Sequence, residues 1–215
     1  MVGFGRGRHQ LPRLYRLREC GLDGPAPIAD VAYPDLHQTV EEARDVVLEP
    51  FALGPAPVTN GEFHRFLTAT GYRPRHGDNF LRHWPGNGEP RPGPGTGPAP
   101  AQLATPVTFV DLGDARAYLD WAGARLPTPE EWQLGLGSGR VGYGPVRVWE
   151  WTDSVVADGH TRWCLLKGGA DYQAPGSDWY ADGGPRPPSW TAKFILWSPG
   201  LDRCATVGFR AALSV

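Results

Sequence analysis

Glycine and proline constrain this chain more than any other feature of its sequence. The 215 residues include 29 glycines and 23 prolines, about a quarter of the chain, where about an eighth is usual. Both residues weaken helix interiors, so a protein of long helices is excluded. Because hydrophobic residues still make up 40% of the chain, with 9 tryptophans among them, there is enough apolar bulk for a core. We therefore predict a folded, loop-rich protein of short elements.

The charge balance excludes two classes of partner. A formal net charge of −2, from 21 basic and 23 acidic side chains, gives no field that would hold nucleic acid or an anionic membrane. No apolar stretch approaches the ~20 residues of a membrane span, and the arginine-rich first residues lack the apolar run of a secretory signal.

The use of cysteine and lysine indicates where the protein is located and what kind of genome encodes it. Cys20, Cys164 and Cys204 are odd in number and widely spaced, which fits neither a disulfide framework nor a paired zinc motif. The scarcity of lysine, with only Lys167 and Lys193, is typical of a GC-rich bacterial genome. Together with the absence of a signal, these features predict a soluble, cytoplasmic protein.

Three short helices are predicted from their capping residues. An N-cap side chain that accepts a backbone N–H, with a glutamate three residues later, marks a helix start. Thr59 and Thr128 have this arrangement, and Asp111 is suited to cap a third helix between them. Gly71 and Gly123 follow the apolar faces of the first two helices along the chain and end them.

Strand signals are weaker and are interrupted by proline. Residues 45–58 and 105–110 are rich in β-branched residues and predict edge strands. After residue 135, the segments 163–169, 194–197 and 206–214 are strand-like and are separated by long irregular stretches.

Composition also predicts how the chain is organised. Eleven of the sixteen residues at 85–100 are glycine or proline, which predicts a flexible insertion. Recognisable elements flank it, so it is not a domain boundary. We predict that residues 1–44 form a partly ordered N-terminal extension and residues 45–215 a single domain.

Six sequence blocks occur in an order that is typical of one family. They are PVTNGEF at 57–63, GY at 71–72, PVTFVDLGDARAYLDWAGARLPTPEEW at 106–132, VWEWTDS at 148–154, LLKGGADY at 165–172 and VGFRAAL at 207–213. In these blocks the chain resembles the formylglycine-generating enzyme, or sulfatase-modifying factor, family. That family also includes the C-terminal domain of ergothioneine sulfoxide synthases and a pyoverdine-maturation oxidase. The resemblance implies an α+β fold related to C-type lectins, with short helices, short antiparallel strands and long loops.

The metal-binding residues that this resemblance implies are altered. Two copper-binding cysteines of the family fall at about Gln173 and Asp178, and a Cu(I) ion needs thiolate or thioether ligands that these residues lack. Conversion of a sulfatase cysteine to formylglycine is therefore not expected. Arg147 stands where the family's calcium-binding stretch usually has asparagine, which argues against a structural calcium ion. The sulfoxide synthases hold iron with histidines of a separate N-terminal domain, for which residues 1–44 are too short.

Two other sets of residues are candidate metal ligands, which makes iron or copper the candidate cofactor. Cys164 and Cys204 each lie four residues before a glycine of a family block. If their strands are adjacent, the sulfurs form a thiolate metal pair, a disulfide or two buried thiols. The second set, suited to non-heme iron, is His160, Asp178, Asp182 and Asp202. His160 also follows an Asp-Gly turn signal that is typical of a surface loop, and residues 182–185 also form a turn signal.

A candidate ligand groove is predicted from aromatic and basic residues that lie among glycines, prolines and aspartates. Its members are Trp179, Tyr180, Arg186, Trp190, Lys193 and Arg203. The basic side chains are suited to a carboxylate or phosphate group of a polar or zwitterionic ligand, although each is also typical of a solvated loop. The tryptophans of the family blocks are instead predicted to lie in the core: Trp121, Trp132, Trp149 and Trp151.

Two functional hypotheses follow. The first is a metal- and oxygen-dependent oxidoreductase that acts on a small molecule or peptide, since the resembling family uses its fold for oxidation. The second is a non-catalytic module on a lectin-like scaffold, which binds a small molecule, a peptide, a partner protein or a second copy of the chain. The missing cysteine pair favours the second.

Overall fold

Short helices and strands alternate with long loops along the chain. The structure is a computed structural model that describes residues 1–19, 21–24, 35–86, 97–172, 184–198 and 200–215. The α-helices in these parts are α1 (Asn60–Thr70), α2 (Leu112–Trp121) and α3 (Pro129–Gly137), and single 3₁₀ turns lie at Leu17–Glu19, Asp35–His37 and Pro100–Gln102. The strands are β1 (Val2–Phe4), β2 (Gly7–Arg16), β3 (Thr39–Leu48), β4 (Phe51–Leu53), β5 (Trp149–Trp151), β6 (Val156–Ala157), β7 (Arg162–Lys167), β8 (Gly169–Ala170), β9 (Gly184–Pro185), β10 (Thr191–Ile195), β11 (Val207–Gly208) and β12 (Ala212–Ser214). The predicted α+β class is confirmed.

All three helices begin at the predicted capping residues. Thr59 Oγ1 accepts the Glu62 N–H at 3.2 Å, and Glu62 Oε2 accepts the Thr59 N–H at 2.8 Å. Asp111 and Thr128 form the same reciprocal pair at α2 and α3. Gly71 ends α1 in a left-handed conformation with φ of 66°, which glycine adopts without steric cost.

The main core lies between α1, α2 and the largest sheet. That sheet has the strand order β10-β7-β5-β11, with β6 paired to β7, and its strands are antiparallel except for the β5–β11 pair. Phe63 of α1, Leu119 of α2 and Trp151 of β5 are almost fully buried in this core. A second sheet places β4 between β1 and β12 and packs against α3.

The N-terminal residues form part of the folded structure. β2 and β3 pair along ten residues each, from Gly7 opposite Leu48 to Arg16 opposite Thr39. Residue 44, where we placed the end of an extension, lies inside β3. Arg44 reaches Glu130 of α3 at 2.7 Å, so the hairpin is attached to the helical part of the molecule.

The strand predictions are partly wrong. Residues 45–58 hold the end of β3 and the short β4 rather than one long strand. Residues 105–110 form no strand, and only a single bridge joins Pro106 to Thr59. Phe109 has a φ of 52°, which interrupts the extended backbone that a strand requires. The predicted insertion at 85–100 has its centre, 87–96, outside the described residues and stays a prediction.

None of the helices in the described parts of the chain combines the length and the apolar composition needed to cross a membrane.

Candidate functional site

The two candidate cysteines do not form a pair. Cys164 lies in β7 and Cys204 shortly before β11, and β5 lies between these two strands. Both thiols are free. Cys164 Sγ donates to the carbonyl oxygen of Thr152 at 3.1 Å, and Cys204 Sγ to that of Asp202 at 3.5 Å. Burial raises the pKa of both thiols, and a protonated thiol is a poor metal ligand. Of the three alternatives, the structure agrees best with two separate free thiols, of which Cys164 is buried and Cys204 half-buried.

The two described members of the carboxylate and imidazole set, His160 and Asp202, have different local roles. Asp158 Oδ1 accepts the backbone N–H groups of His160 and Thr161, so His160 lies exposed on a turn. Asp202 Oδ1 accepts the backbone N–H of Trp197 at 2.9 Å and closes a loop. Asp178 and Asp182 lie outside the described residues. Within the described ranges, no three His, Cys, Asp or Glu side chains are grouped to hold a metal ion.

Arg203, a predicted groove residue, is a buried part of the core. Its Nε and Nη2 donate to the Asp114 carboxylate at 2.7 and 3.1 Å, and Nη2 also lies 3.1 Å from Asp111. Its Nη1 donates to the carbonyl oxygens of His76 and Asp78, both at 2.7 Å. All the donors of this guanidinium are used inside the protein. In the structure Arg203 joins the 76–78 loop to α2, and its contact with a ligand stays a prediction.

Lys193 also has a structural role. Its Nζ lies 4.0 Å from the centre of the Trp163 ring and donates to the carbonyl oxygen of Gly21 at 3.3 Å. It thus holds the N-terminal part of the chain against the main sheet. Arg203 and Lys193 thus have other contacts inside the protein, and Trp179 and Tyr180 lie outside the described residues, so the groove as a whole stays a prediction.

The remaining groove residues, Arg186 and Trp190, lie together and meet a second pair. The Arg186 guanidinium carbon is 4.4 Å from the centre of the Trp190 ring. The Arg147 guanidinium carbon is 3.5 Å from the centre of the Tyr143 ring, and Arg147 Nη1 donates to the carbonyl oxygen of Arg186 at 3.2 Å. We call these four residues the arginine–aromatic surface. Arg147 and Tyr143 were missed as groove members because they precede the other groove residues by about forty positions.

Backbone contacts hold this surface in place. The Arg147 N–H donates to Asp171 Oδ2 at 2.8 Å, and the Asp171 N–H donates back to the Arg147 carbonyl oxygen at 3.0 Å. Gly169 has a φ of 72°, and a Cβ there would lie 2.6 Å from the backbone N of Arg186 and from the carbonyl oxygen of Gly184. Glycine is therefore needed at this turn, since any side chain would displace Arg186.

A comparison with protein families agrees with this fold. The family described as "Sulfatase-modifying factor enzyme 1-like domain" matches residues 29–145, more than half of the chain. The chain belongs to this family. The family resemblance seen in the six sequence blocks is thus confirmed.

Relatives within this family differ in their stated activities. The chain is 31% identical over 165 residues to mouse "Inactive C-alpha-formylglycine-generating enzyme 2", covering 60% of this chain and 49% of the relative. It is 30% identical to a "Formylglycine-generating enzyme" of Thermomonospora curvata, covering 66% and 54%. A "Hercynine oxygenase" of Mycobacterium tuberculosis is 36% identical over 104 residues, covering 42% and 24%. The matched part of the chain spans about half the length of the first two relatives. It spans about a quarter of the length of the third.

A solved structure supports the fold alone. The crystal structure of CarF superimposes with a TM-score of 0.50 at 18% identity, covering 80% of this chain and 89% of CarF. The irregular α+β architecture of the family is therefore present here. The positions that the resemblance assigns to the copper ligands, Gln173 and Asp178, lie outside the described residues, and neither is a cysteine.

Lys167 is a further unusual residue of this family member. Its Nζ is buried and donates to Gln133 Oε1 at 3.0 Å and to Thr191 Oγ1 at 3.1 Å. Burial lowers the pKa of Lys167 to about 7. Gln133 Nε2 also donates to the carbonyl oxygen of Pro12 at 2.6 Å, which connects the amine to the hairpin. A lysine between Leu166 and Gly168 inside an apolar strand was the available sequence signal, because lysine is almost never buried without a reason.

Proposed function

We propose that this family member is a non-catalytic binding module that holds a small molecule or peptide at the arginine–aromatic surface. The observation that carries the proposal is the separation of the candidate metal residues. Cys164 in β7 and Cys204 before β11 are free thiols on either side of β5, His160 lies exposed on a turn, and Asp202 closes a loop. These described residues do not fit a copper or iron ion, which needs ligands that converge.

The arginine–aromatic surface supports the binding part of the proposal. Guanidinium groups stacked on aromatic rings are held in place before a ligand arrives, which lowers the entropic cost of binding. One relative, from mouse, is named as an inactive enzyme, which supports the loss of catalysis in one branch of the family. The two free thiols agree with the reducing cytoplasmic location that the sequence predicts.

Metal analysis combined with oxygen consumption tests the proposal. We expect the purified full chain to contain far less than one equivalent of copper or iron and to consume no oxygen with a reductant present. We also expect its melting temperature to rise with some members of a panel of small carboxylates and peptides, because a ligand that binds only the folded state stabilises it. Stoichiometric metal that is lost in Cys164→Ser or His160→Ala would contradict the proposal.

A second candidate is the metal- and oxygen-dependent oxidoreductase. It is favoured by the similarity to proteins named formylglycine-generating enzyme and hercynine oxygenase. Its remaining candidate ligands are Asp178 and Asp182, outside the described residues. Under this hypothesis, Asp178→Ala and Asp182→Ala remove both bound metal and oxygen consumption, whereas under the binding hypothesis neither signal exists to be removed.

A further inference from the structure

We propose that the outer edge of β3 binds an extended, cationic segment of a partner protein as an additional strand. This edge shares no residue with the arginine–aromatic surface, so the inference goes beyond the proposed function and does not depend on it. β3 pairs with β2 alone, in a two-stranded sheet. One of its two sides is therefore not part of any β-ladder within the described residues.

The register of the hairpin shows which backbone groups face that side. The Leu17 N–H donates to the carbonyl oxygen of Gln38 at 2.9 Å, one position beyond the Arg16–Thr39 pair. In an antiparallel ladder every second pair of residues exchanges hydrogen bonds, and the residues between them direct their N–H and C=O groups away from the partner strand. The outward residues of β3 are therefore Thr39, Glu41, Ala43, Asp45 and Val47.

The opposite edge of the hairpin, on β2, is covered by the protein. The carbonyl oxygen of Pro12 accepts a hydrogen bond from Gln133 Nε2 at 2.6 Å, and the Leu14 N–H donates to the carbonyl oxygen of Ser189 at 2.9 Å. These contacts agree with the register, because Pro12 and Leu14 are outward residues of β2. On β3, by contrast, the outward N–H and C=O groups make no backbone hydrogen bond within the described part of the chain.

The length and exposure of β3 make this edge available to another strand. Each outward residue is exposed, and the ten residues of β3 pair with β2 without a break in register. Proteins often protect a free edge with a bulge, a proline or a very short strand, and β3 has none of these. Extended peptides bind to such an edge through main-chain hydrogen bonds.

The charges of the outward residues select the kind of partner. Glu41 and Asp45 lie exposed, and neither forms an ion pair with a basic side chain of the described residues. Glu42, on the opposite face of the strand, does pair with Arg13. A partner strand with lysine or arginine opposite Glu41 and Asp45 supplies the missing counter-charges. Because these two positions are four residues apart, the partner carries its basic residues at i and i+4, on one face.

A second copy of this chain is a poorer match for the same edge. The symmetric antiparallel pairing that aligns all the outward residues is centred on Ala43. It places Glu41 of each copy directly opposite Asp45 of the other. Like charges in directly opposite positions destabilise a strand pair. The two acidic residues therefore oppose self-association and leave the edge free for a cationic strand.

Two synthetic peptides test the inference on the full chain. Both are short threonine-rich peptides with blocked ends and two lysines. In one peptide the lysines are at i and i+4, and in the other at i and i+3, which lie on opposite faces of a strand. We expect calorimetry to show saturable binding of the first peptide and about fivefold weaker binding of the second, which loses one cross-strand charge pair.

Amide hydrogen exchange measured by NMR locates the bound peptide. The outward N–H groups of Glu41, Ala43 and Asp45 should exchange rapidly in the free protein and become protected in the complex. The N–H groups of Glu42 and Arg44, which face β2, should be protected in both states. General electrostatic attraction without strand pairing would not change this alternating pattern.

Variants test the charges and the backbone separately. Glu41→Gln combined with Asp45→Asn should weaken binding of the i, i+4 peptide by about tenfold. Ala43→Pro should weaken it at least as much, because proline removes an outward N–H while the ladder to β2 keeps its hydrogen bonds. Glu49→Gln is the matched control, since Glu49 is exposed just after β3 and pairs with Arg6 at 3.2 Å. It should stay within about twofold.

Four results would overturn the inference. Three are the absence of saturable binding of the i, i+4 peptide, equal affinity for both peptides, and binding without protection of the outward amides of β3. The fourth is dimerisation of the peptide-free protein that protects the same amides, which would identify a second copy as the occupant. All four are measured on the wild-type chain, so they remain decisive if a variant does not fold.

Discussion

The Arg210 guanidinium and the Glu150 carboxylate form a two-bonded ion pair in which neither side chain is exposed, with N–O distances of 2.5 and 2.7 Å. Arg210 also holds the carbonyl oxygens of Gly54 and Gly142. The pair thus joins β5 to the loops beyond β4 and before Tyr143. Sequence analysis did not predict it, because 60 positions separate the partners.

Loss of one partner of this pair should be strongly destabilising. Glu150→Gln leaves a buried guanidinium without its counter-charge, and we expect the free energy of unfolding to fall by about 3–5 kcal/mol in urea titrations. Asp153→Asn is the control, since Asp153 pairs with Arg116 at 2.9 Å where both side chains are about half exposed. That change should cost less than about 1 kcal/mol. Equal losses of stability in the two variants would show that other groups compensate the buried charge of Arg210.

Lys167 should make stability depend on pH in the alkaline range. Burial lowers the pKa of Lys167 from its ordinary value of 10.5 to about 7 in the folded protein. Between these two pH values the lysine is protonated in the unfolded chain and neutral in the folded one. Stability from this group therefore rises with pH from about 7 to about 10, by up to about 1.4 kcal/mol per pH unit. Below pH 7 both states are protonated and the slope vanishes.

Lys167→Met isolates this effect. The variant should be at least as stable as the wild type at pH 7, and the difference between the two should shrink as the pH rises to 10. Urea titrations at several pH values measure it. A constant difference across this range would mean that Lys167 does not change its charge on unfolding.

The two described thiols should differ in reactivity. Cys164 is fully buried and Cys204 is half-buried, and only the thiolate attacks a disulfide reagent. In a Cys20→Ser background, the protein that retains only Cys164 should react with Ellman's reagent at the rate of global unfolding. The protein that retains only Cys204 should react faster, yet more slowly than the denatured chain. Rapid labelling of Cys164 would contradict its burial.

Gly169 should tolerate alanine poorly. Gly169 and Gly139 have nearly the same backbone angle, with φ of 72° and 69°, but a Cβ at Gly139 meets nothing within 4 Å. Gly139→Ala should therefore cost about 1 kcal/mol for the left-handed conformation alone. Gly169→Ala adds a collision with the backbone of Arg186 and Gly184, so it should cost clearly more. Thermal unfolding of both variants measures the difference.

Local signals predicted the helices, whereas the site depended on distant partners. Thr59, Asp111 and Thr128 form their caps with residues three positions away, so their spacing was visible in the sequence. Cys164 and Cys204 have equal spacings to a glycine, but spacing does not reveal that β5 lies between β7, which holds Cys164, and β11, which follows Cys204. Arg203 looked like a loop cation, because its partner Asp114 is 89 positions away.

The position of β4 has a mechanical consequence. Val2 of β1 and Ala212 of β12 both lie opposite Leu53, so the first and last strands run parallel on either side of β4. Tension applied to the two ends of the chain acts along the strands in opposite directions and shears both ladders, whose backbone hydrogen bonds then carry the load together. The force that the protein withstands when it is pulled by its ends is therefore set by the rate at which this three-stranded sheet opens.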